Sequence, residues 1–132
     1  DPNLFGSTPK MRAYVDMWNR RLELDGYSHL GNAIRNKSSF FINRVLAGTR
    51  NDIKQMPEIV ERGVQIIELL FQRIDHYLEK NKFICGDQFT IADITGYSIF
   101  KSCELLNFEI PKTLPNTIRW KNTLYKQDCF DV

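Results

Sequence analysis

The residues of this 132-residue chain whose types could carry chemistry are three cysteines, two histidines and an acidic residue set in an apolar stretch. Cys85, Cys103 and Cys129 could supply a thiolate or metal ligands. They are odd in number, lack C-x-x-C spacing, and His29 and His76 lie far from each other in sequence. A disulfide framework, a zinc site and a Cys–His pair therefore have little support, and reduced thiols fit best. Cys103, within an apolar segment, reads as inert core. Asp93 invites a catalytic reading, but it stands three residues after Thr90, the spacing of a capping box. In that box Thr90 caps the Asp93 N–H while the Asp93 carboxylate reaches back to the Thr90 N–H, a place the helix dipole also favours for a carboxylate. Phe89 and Ile94 occupy the positions of a hydrophobic staple, and Gly86-Asp87 supplies the turn before it.

The elements that would position these residues read as helical throughout. Thr8 as cap and Pro9 at the first helical position open a long helix in which Met11, Tyr14, Val15, Trp18 and Leu22 recur at helical spacing. Gly26 and Gly31 cost helix propensity, so a bend or break is expected there before the helix resumes through Ala33, Ile34 and Phe40-Phe41. Residues 47–52 are turn chemistry. A second long helix runs from Met56-Pro57 to about Lys80 on a stripe that includes Ile67, Leu70, Phe71 and Ile74, with Asp75 among the polar residues outside it. The third, from Ile91 to about Asn107, is apolar or small on nearly every face and should be buried. Pro111 and Pro115 break the chain before a last helix carrying Trp120 and Leu124. The expected fold is all-α, about five helices, with Trp18, Ile67, Leu70, Ile74, Ile91, Ile94 and Leu105 in one core. Phe83-Ile84-Cys85 alone could be mistaken for a strand.

The chain is long enough to bury a core without disulfides. A net charge of +2 and no basic block longer than Arg20-Arg21 argue against nucleic acid as a partner. No apolar run approaches about 18 residues, so no membrane partner is expected on the ground of a spanning helix. No signal-peptide pattern is present and a cytoplasmic protein is expected. The opening Asp1–Pro9 reads as a linker running straight into a helix, without an initiator Met, as in the middle of a longer protein.

The run F-I-C-G-D-Q-F-T-I-A-D, residues 83–93, resembles the start of the core helix in the C-terminal domain of cytosolic glutathione transferases. N-L-F-G-S-T-P-K-M-R-A-Y-V-D-M-W, with Arg12, Ala13 and Trp18, resembles the linker and first helix of that domain. N-R-R-L-E-L-D-G-Y and A-I-R-N are similar to a bacterial subgroup, and Pro111, Pro115 and Trp120 fit its proline-led final helix. The resemblance covers about residues 2 to 127. It implies a linker remnant over residues 1–8 and a helical domain over 9–132. The thioredoxin-like domain that binds glutathione and activates its thiol has no counterpart here, so this chain alone is expected to be inactive and to hold no catalytic residue.

In the complete protein the resemblance implies conjugation of glutathione, as cosubstrate and without a covalent cofactor, to electrophilic apolar substrates. It places the acceptor wall at Tyr27, Leu30 and Ile34, with Lys101 and Ser102 on its far side. The bland readings are that Leu30 and Ile34 are core and that Lys101 snorkels to solvent. Arg20 and Glu23, with Arg21 and Asp25, would reach the glutathione of the partner subunit in a homodimer, unless they form a solvated face of ion pairs worth about 0.2–0.5 kcal/mol each. A different class remains open: a non-catalytic interaction module of a translation-associated assembly, or a ligand-binding homologue of weak activity.

Overall fold

The computed structural model describes residues 3–46, 48 and 52–130. Thr8 opens α1 (Pro9–Leu22) as its sequence requires, its hydroxyl accepting from the Met11 N–H at 3.1 Å with Pro9 at the helix start. Glu23–Tyr27 then form one π turn that continues into α2 (Ser28–Lys37). The expected bend therefore falls at Gly26, and as a widening of the helix. A Cβ on Gly26 would lie 2.6 Å from Ile99 Cδ1 and 2.9 Å from Leu70 Cδ2, so only glycine lets the two neighbouring helices press into the turn. Gly31 faces open space inside α2 and breaks nothing.

A 3₁₀ turn, Ser39–Phe41, follows; the expected turn at 47–52 falls largely outside the described residues. α3 (Pro57–Leu78) buries Ile67, Leu70, Phe71, Ile74 and Leu78 on one stripe. It meets α2 at Gly63, where a Cβ would stand 3.0 Å from Ala33 Cβ. α4 (Ile91–Leu106) and α5 (Pro115–Leu124) complete the bundle, with a final 3₁₀ turn at Asp128–Phe130. No strand occurs among the described residues. Phe83-Ile84-Cys85 belongs to a tight turn in which the Phe83 N–H donates to the Gly86 carbonyl at 2.7 Å, with Gly86 at φ +107°.

Asp93 and Asp75 organise the packing of these helices. The capping box at Thr90 is present, with the Thr90 N–H donating to Asp93 Oδ2 at 2.9 Å and the Thr90 hydroxyl to the same oxygen at 3.1 Å. The other oxygen, Oδ1, accepts from the Ile84 N–H at 3.0 Å and from Trp120 Nε1 at 2.9 Å. Burial pushes the Asp93 carboxyl above its ordinary value, and these donors oppose the shift. Asp75, expected on the polar side of its helix, is buried instead. Leu114 cannot cap α5, and Asp75 does so from α3, accepting from the Thr117 N–H at 2.7 Å and Asn116 Nδ2 at 3.1 Å.

Trp18, Ile67, Leu70 and Ile74 are in the core as expected, whereas Ile91 and Ile94, on the first turn of α4, are only half-buried. Leu105 departs further, being 70% exposed. Ile99, Cys103 and Leu106 already fill the inward face of the last turns of α4, and Leu105 falls on the side that no other helix covers.

Candidate functional site

The π turn and α2 place the three residues expected to form an acceptor wall in unequal positions. Tyr27, the last residue of the turn, is 50% exposed, Ile34 is half-buried, and Leu30 is 1% exposed within the core cluster. The helical step accounts for the difference. At about 100° per residue, Ile34 falls roughly 20° from Tyr27 while Leu30 lies about 60° round from it, toward the core. Tyr27 and Ile34 thus share an accessible edge backed by Leu30.

Lys101 and Ser102 are not brought to that edge in the same way. Lys101 Nζ donates to Glu104 Oε2 at 2.7 Å and stands 5.6 Å over the Tyr125 ring, so it faces α5. It is two residues from Ile99, the side chain beneath Gly26, and therefore on the opposite side of α4. Ser102 is buried and donates to the Ser98 carbonyl at 2.8 Å. Glu104 also accepts from the Tyr125 hydroxyl at 2.7 Å and pairs with Lys121 at 3.3 Å. These partners, Lys101 foremost, hold its carboxyl down at about 2.

Arg20 and Glu23 pair one turn apart at 2.8 Å on the surface. Asn19 ties this pair to α4, donating to Glu23 Oε1 at 3.1 Å and accepting from the Thr95 hydroxyl at 2.6 Å. Arg21 covers the Trp18 ring at 5.4 Å. Asp25 lies 4.0 Å from Arg73, and both border a 300 Å³ groove with His29, Ile66 and Leu69 between the π turn and α3.

The two buried thiols are poor nucleophiles. Burial pushes Cys85 up to about 11 and Cys103 up to about 12, so neither ionises near neutral pH. His76 is exposed and lies 3.2 Å from Glu79 on its own helix. Among the described residues no group of His, Cys, Asp and Glu is placed to hold a metal ion, and no helix is long and apolar enough to cross a membrane.

Residues 40–128 match the family model described as glutathione S-transferase, C-terminal domain. The chain belongs to this family. Its fold resembles a glutathione S-transferase domain-containing protein of Marinobacter aquaeolei at 25% identity and a TM-score of 0.81, covering 97% of this chain and 60% of the other. A class Gtt2 glutathione S-transferase of Vibrio parahaemolyticus is 27% identical with a TM-score of 0.78, covering 98% of this chain and 57% of the other. Gtt2 of Saccharomyces cerevisiae, at 19% identity, shares the fold with a TM-score of 0.85, covering 98% and 60%. The chain thus spans about three-fifths of the length of these proteins.

In this transferase C-terminal domain, the residues that sequence reasoning missed are the ones that join helices: Asn19 with Thr95, Asp75 with Thr117, and Arg119. The last donates from Nη2 to the Leu78 and Asn81 carbonyls at 2.7 and 3.0 Å, closing the end of α3. No spacing along one helix signals such partners. The segment before α1 is also anchored, since the Ile91 N–H donates to the Leu4 carbonyl at 3.0 Å and supplies a partner for one open N–H of α4.

Proposed function

We propose that this transferase C-terminal domain forms the acceptor wall of a complete protein that conjugates glutathione to electrophilic apolar substrates, a detoxification chemistry carried out in the cytoplasm. The observation that carries the reading is the accessible edge of Tyr27 and Ile34, backed by buried Leu30, in a chain of this family. A phenol half open to solvent can lie against an apolar ring and still donate a hydrogen bond.

The thiol that reacts in this reading is that of glutathione, and the buried Cys85 and Cys103 stay protonated at neutral pH. Glutathione would be bound and ionised by a domain joined through residues 1–8, with residues 9–132 forming the helical domain. The wall then works by proximity, holding the acceptor beside the thiolate and excluding water from the developing bond. Ser102, with its hydroxyl on the Ser98 carbonyl, and Lys101, held by Glu104, have no part in this edge.

A homodimer fits the exposed Leu69, which lines the groove at Asp25 and Arg73, and the exposed Leu24 on the π turn. Arg20 is exposed and Glu23 half-buried on the adjoining part of α1 and the π turn, where they would face a glutathione held by the partner subunit. Assay of glutathione conjugation to an electrophilic aromatic acceptor tests the reading. The complete protein should turn over and the 132-residue chain alone should not. A complete protein that binds no glutathione would contradict it and point to an interaction module.

A further inference from the structure

We infer that Gly26 is a positioning residue for the acceptor. Its bare backbone, stopped against Ile99 of α4 and Leu70 of α3, sets how far the Tyr27 phenol stands from the core and so which acceptors fit against it. This assignment deepens the reading above and rests on Tyr27 forming the acceptor wall.

Register brings Tyr27 to the edge in the first place. At about 100° per residue, an uninterrupted α-helix would set Leu22 and Leu30 about 80° apart and Tyr27 about 140° from Leu22, toward solvent. The π turn Glu23–Tyr27 takes up one residue more than an α turn and so takes back roughly 100°. Leu30 then falls within about 20° of Leu22, and Tyr27 about 40° from it. Leu22 and Leu30 are accordingly both in the core, 0% and 1% exposed. The phenol comes round from the back of the helix to the margin of the core.

The turn is held to both neighbouring helices. Glu23 accepts from Asn19, which accepts in turn from the Thr95 hydroxyl of α4, and Asp25 stands 4.0 Å from Arg73 of α3. Gly26 fixes the depth. Its φ lies outside the left-handed region, so space and not backbone conformation calls for glycine. A Cβ there would stand 2.6 Å from Ile99 Cδ1, against 3.4–4 Å for an ordinary contact. A methyl therefore lifts the turn by about 1 Å or forces Ile99 aside, and a misplacement of about 1 Å in a positioning group can cost about a hundredfold in rate. Gly31, five residues on, has nothing within 4 Å of its Cβ position and serves as the control for helix propensity alone.

Steady-state kinetics of the complete protein with glutathione and chlorodinitrobenzene test the assignment. Gly26→Ala should lower kcat/KM for the acceptor about tenfold or more and leave the glutathione KM unchanged. Ile99→Val, which removes Cδ1 and leaves the turn without its stop, should lower it about threefold. Gly26→Ala/Ile99→Val moves one methyl across the contact and should return to within about twofold of wild type. Gly31→Ala should match wild type. If Gly26→Ala fails to fold, recovery of the Ile99→Val loss in the double variant still decides. Thermal melts that fall in Gly26→Ala and recover in the double variant, while acceptor kinetics stay constant, would make Gly26 a packing residue only and overturn the assignment. An equal loss in Gly31→Ala would overturn it too. Tyr27→Ala separates the two levels: an unchanged acceptor KM removes the wall reading itself, whereas a raised KM with no effect of Gly26→Ala or Ile99→Val overturns only the role of Gly26.

Discussion

Trp120 donates its indole N–H to Asp93 Oδ1 at 2.9 Å, so the carboxylate that caps α4 also holds α5 in place. The same oxygen accepts from the Ile84 N–H at 3.0 Å, and a single buried side chain thus fixes a turn, a helix start and a helix–helix contact. This unequal sharing of work between the two capping residues separates their expected effects. Thr90→Ala should cost about 0.5–2 kcal/mol, the range for a lost cap. Asp93→Ala strands the N–H groups of Ile84, Thr90 and Trp120, each worth about 1–3 kcal/mol when buried and unpaired, so its loss should exceed about 3 kcal/mol. Denaturant midpoints of the two variants check this, and equal losses would contradict the shared-carboxylate arrangement.

Trp120→Phe should show the same link through pH. Burial raises the Asp93 carboxyl, so the fold favours its protonated form and the donors offset that preference. Removing the indole donor should raise the folded value further. The penalty of the variant is then largest where Asp93 is charged in both proteins and shrinks as pH falls and the carboxyl takes up a proton. Midpoints of wild type and variant measured from neutral to acid pH should converge; a pH-independent gap would contradict the ionised contact.

Gly96 lies under the same indole. A Cβ there would stand 2.4 Å from Trp120 Cη2 and 2.5 Å from Cζ2, so Gly96→Ala should destabilise by about 1–3 kcal/mol through overpacking, despite alanine's better helix propensity. In a Trp120→Phe background, where those atoms are gone, the substitution should be nearly neutral or favourable. A double-mutant cycle with no coupling would contradict the contact.

Glu104 gives a surface counterpart. Its carboxyl is held down at about 2, chiefly by Lys101 and then Tyr125. The sign is that of a depressed acid: its contribution is fully present above the ordinary value of 4.5, declines below it, and is lost as pH falls through about 2. Its side chain is 40% exposed, so the effect should be small and weakened by salt. Glu104→Gln should flatten the acid limb of the melting temperature against pH, and an unchanged limb would contradict the pairing.

Local signals carried the helix starts. Thr8-Pro9 and Thr90-x-x-Asp93 act within one turn of chain, and both open helices where their spacing places them. The stripe of α3 was likewise legible because one face of a helix is written at fixed intervals. Asp75 was misread for the opposite reason: its partner is Thr117, 42 residues away, and no periodicity announces a cap borrowed from another helix. Leu105 was misread because α4 is apolar nearly all round, so composition could not say which side its neighbours leave bare. Among the proposed wall residues, spacing put Tyr27, Leu30 and Ile34 near one face without separating the edge from the core. That division depends on α3 and α4 pressing on Gly26.

Leu30→Ala separates a supporting residue from a contact residue. As a fully buried side chain it should cost about 2–5 kcal/mol in stability. At a temperature where the variant stays folded, the KM for the acceptor should remain near that of the parent. A large change in KM without loss of stability would place Leu30 in contact with substrate.

The most direct measurement is the steady-state kinetics of the complete protein carrying Tyr27→Ala or Ile34→Ala, with glutathione and an electrophilic aromatic acceptor each varied in turn. Loss of contacts made equally to bound substrate and transition state should raise the acceptor KM about tenfold, roughly 1.4 kcal/mol of binding, with kcat and the glutathione KM little changed. Equal increases in both KM values, or no change in either, would contradict the assignment of the Tyr27–Ile34 edge as the acceptor wall.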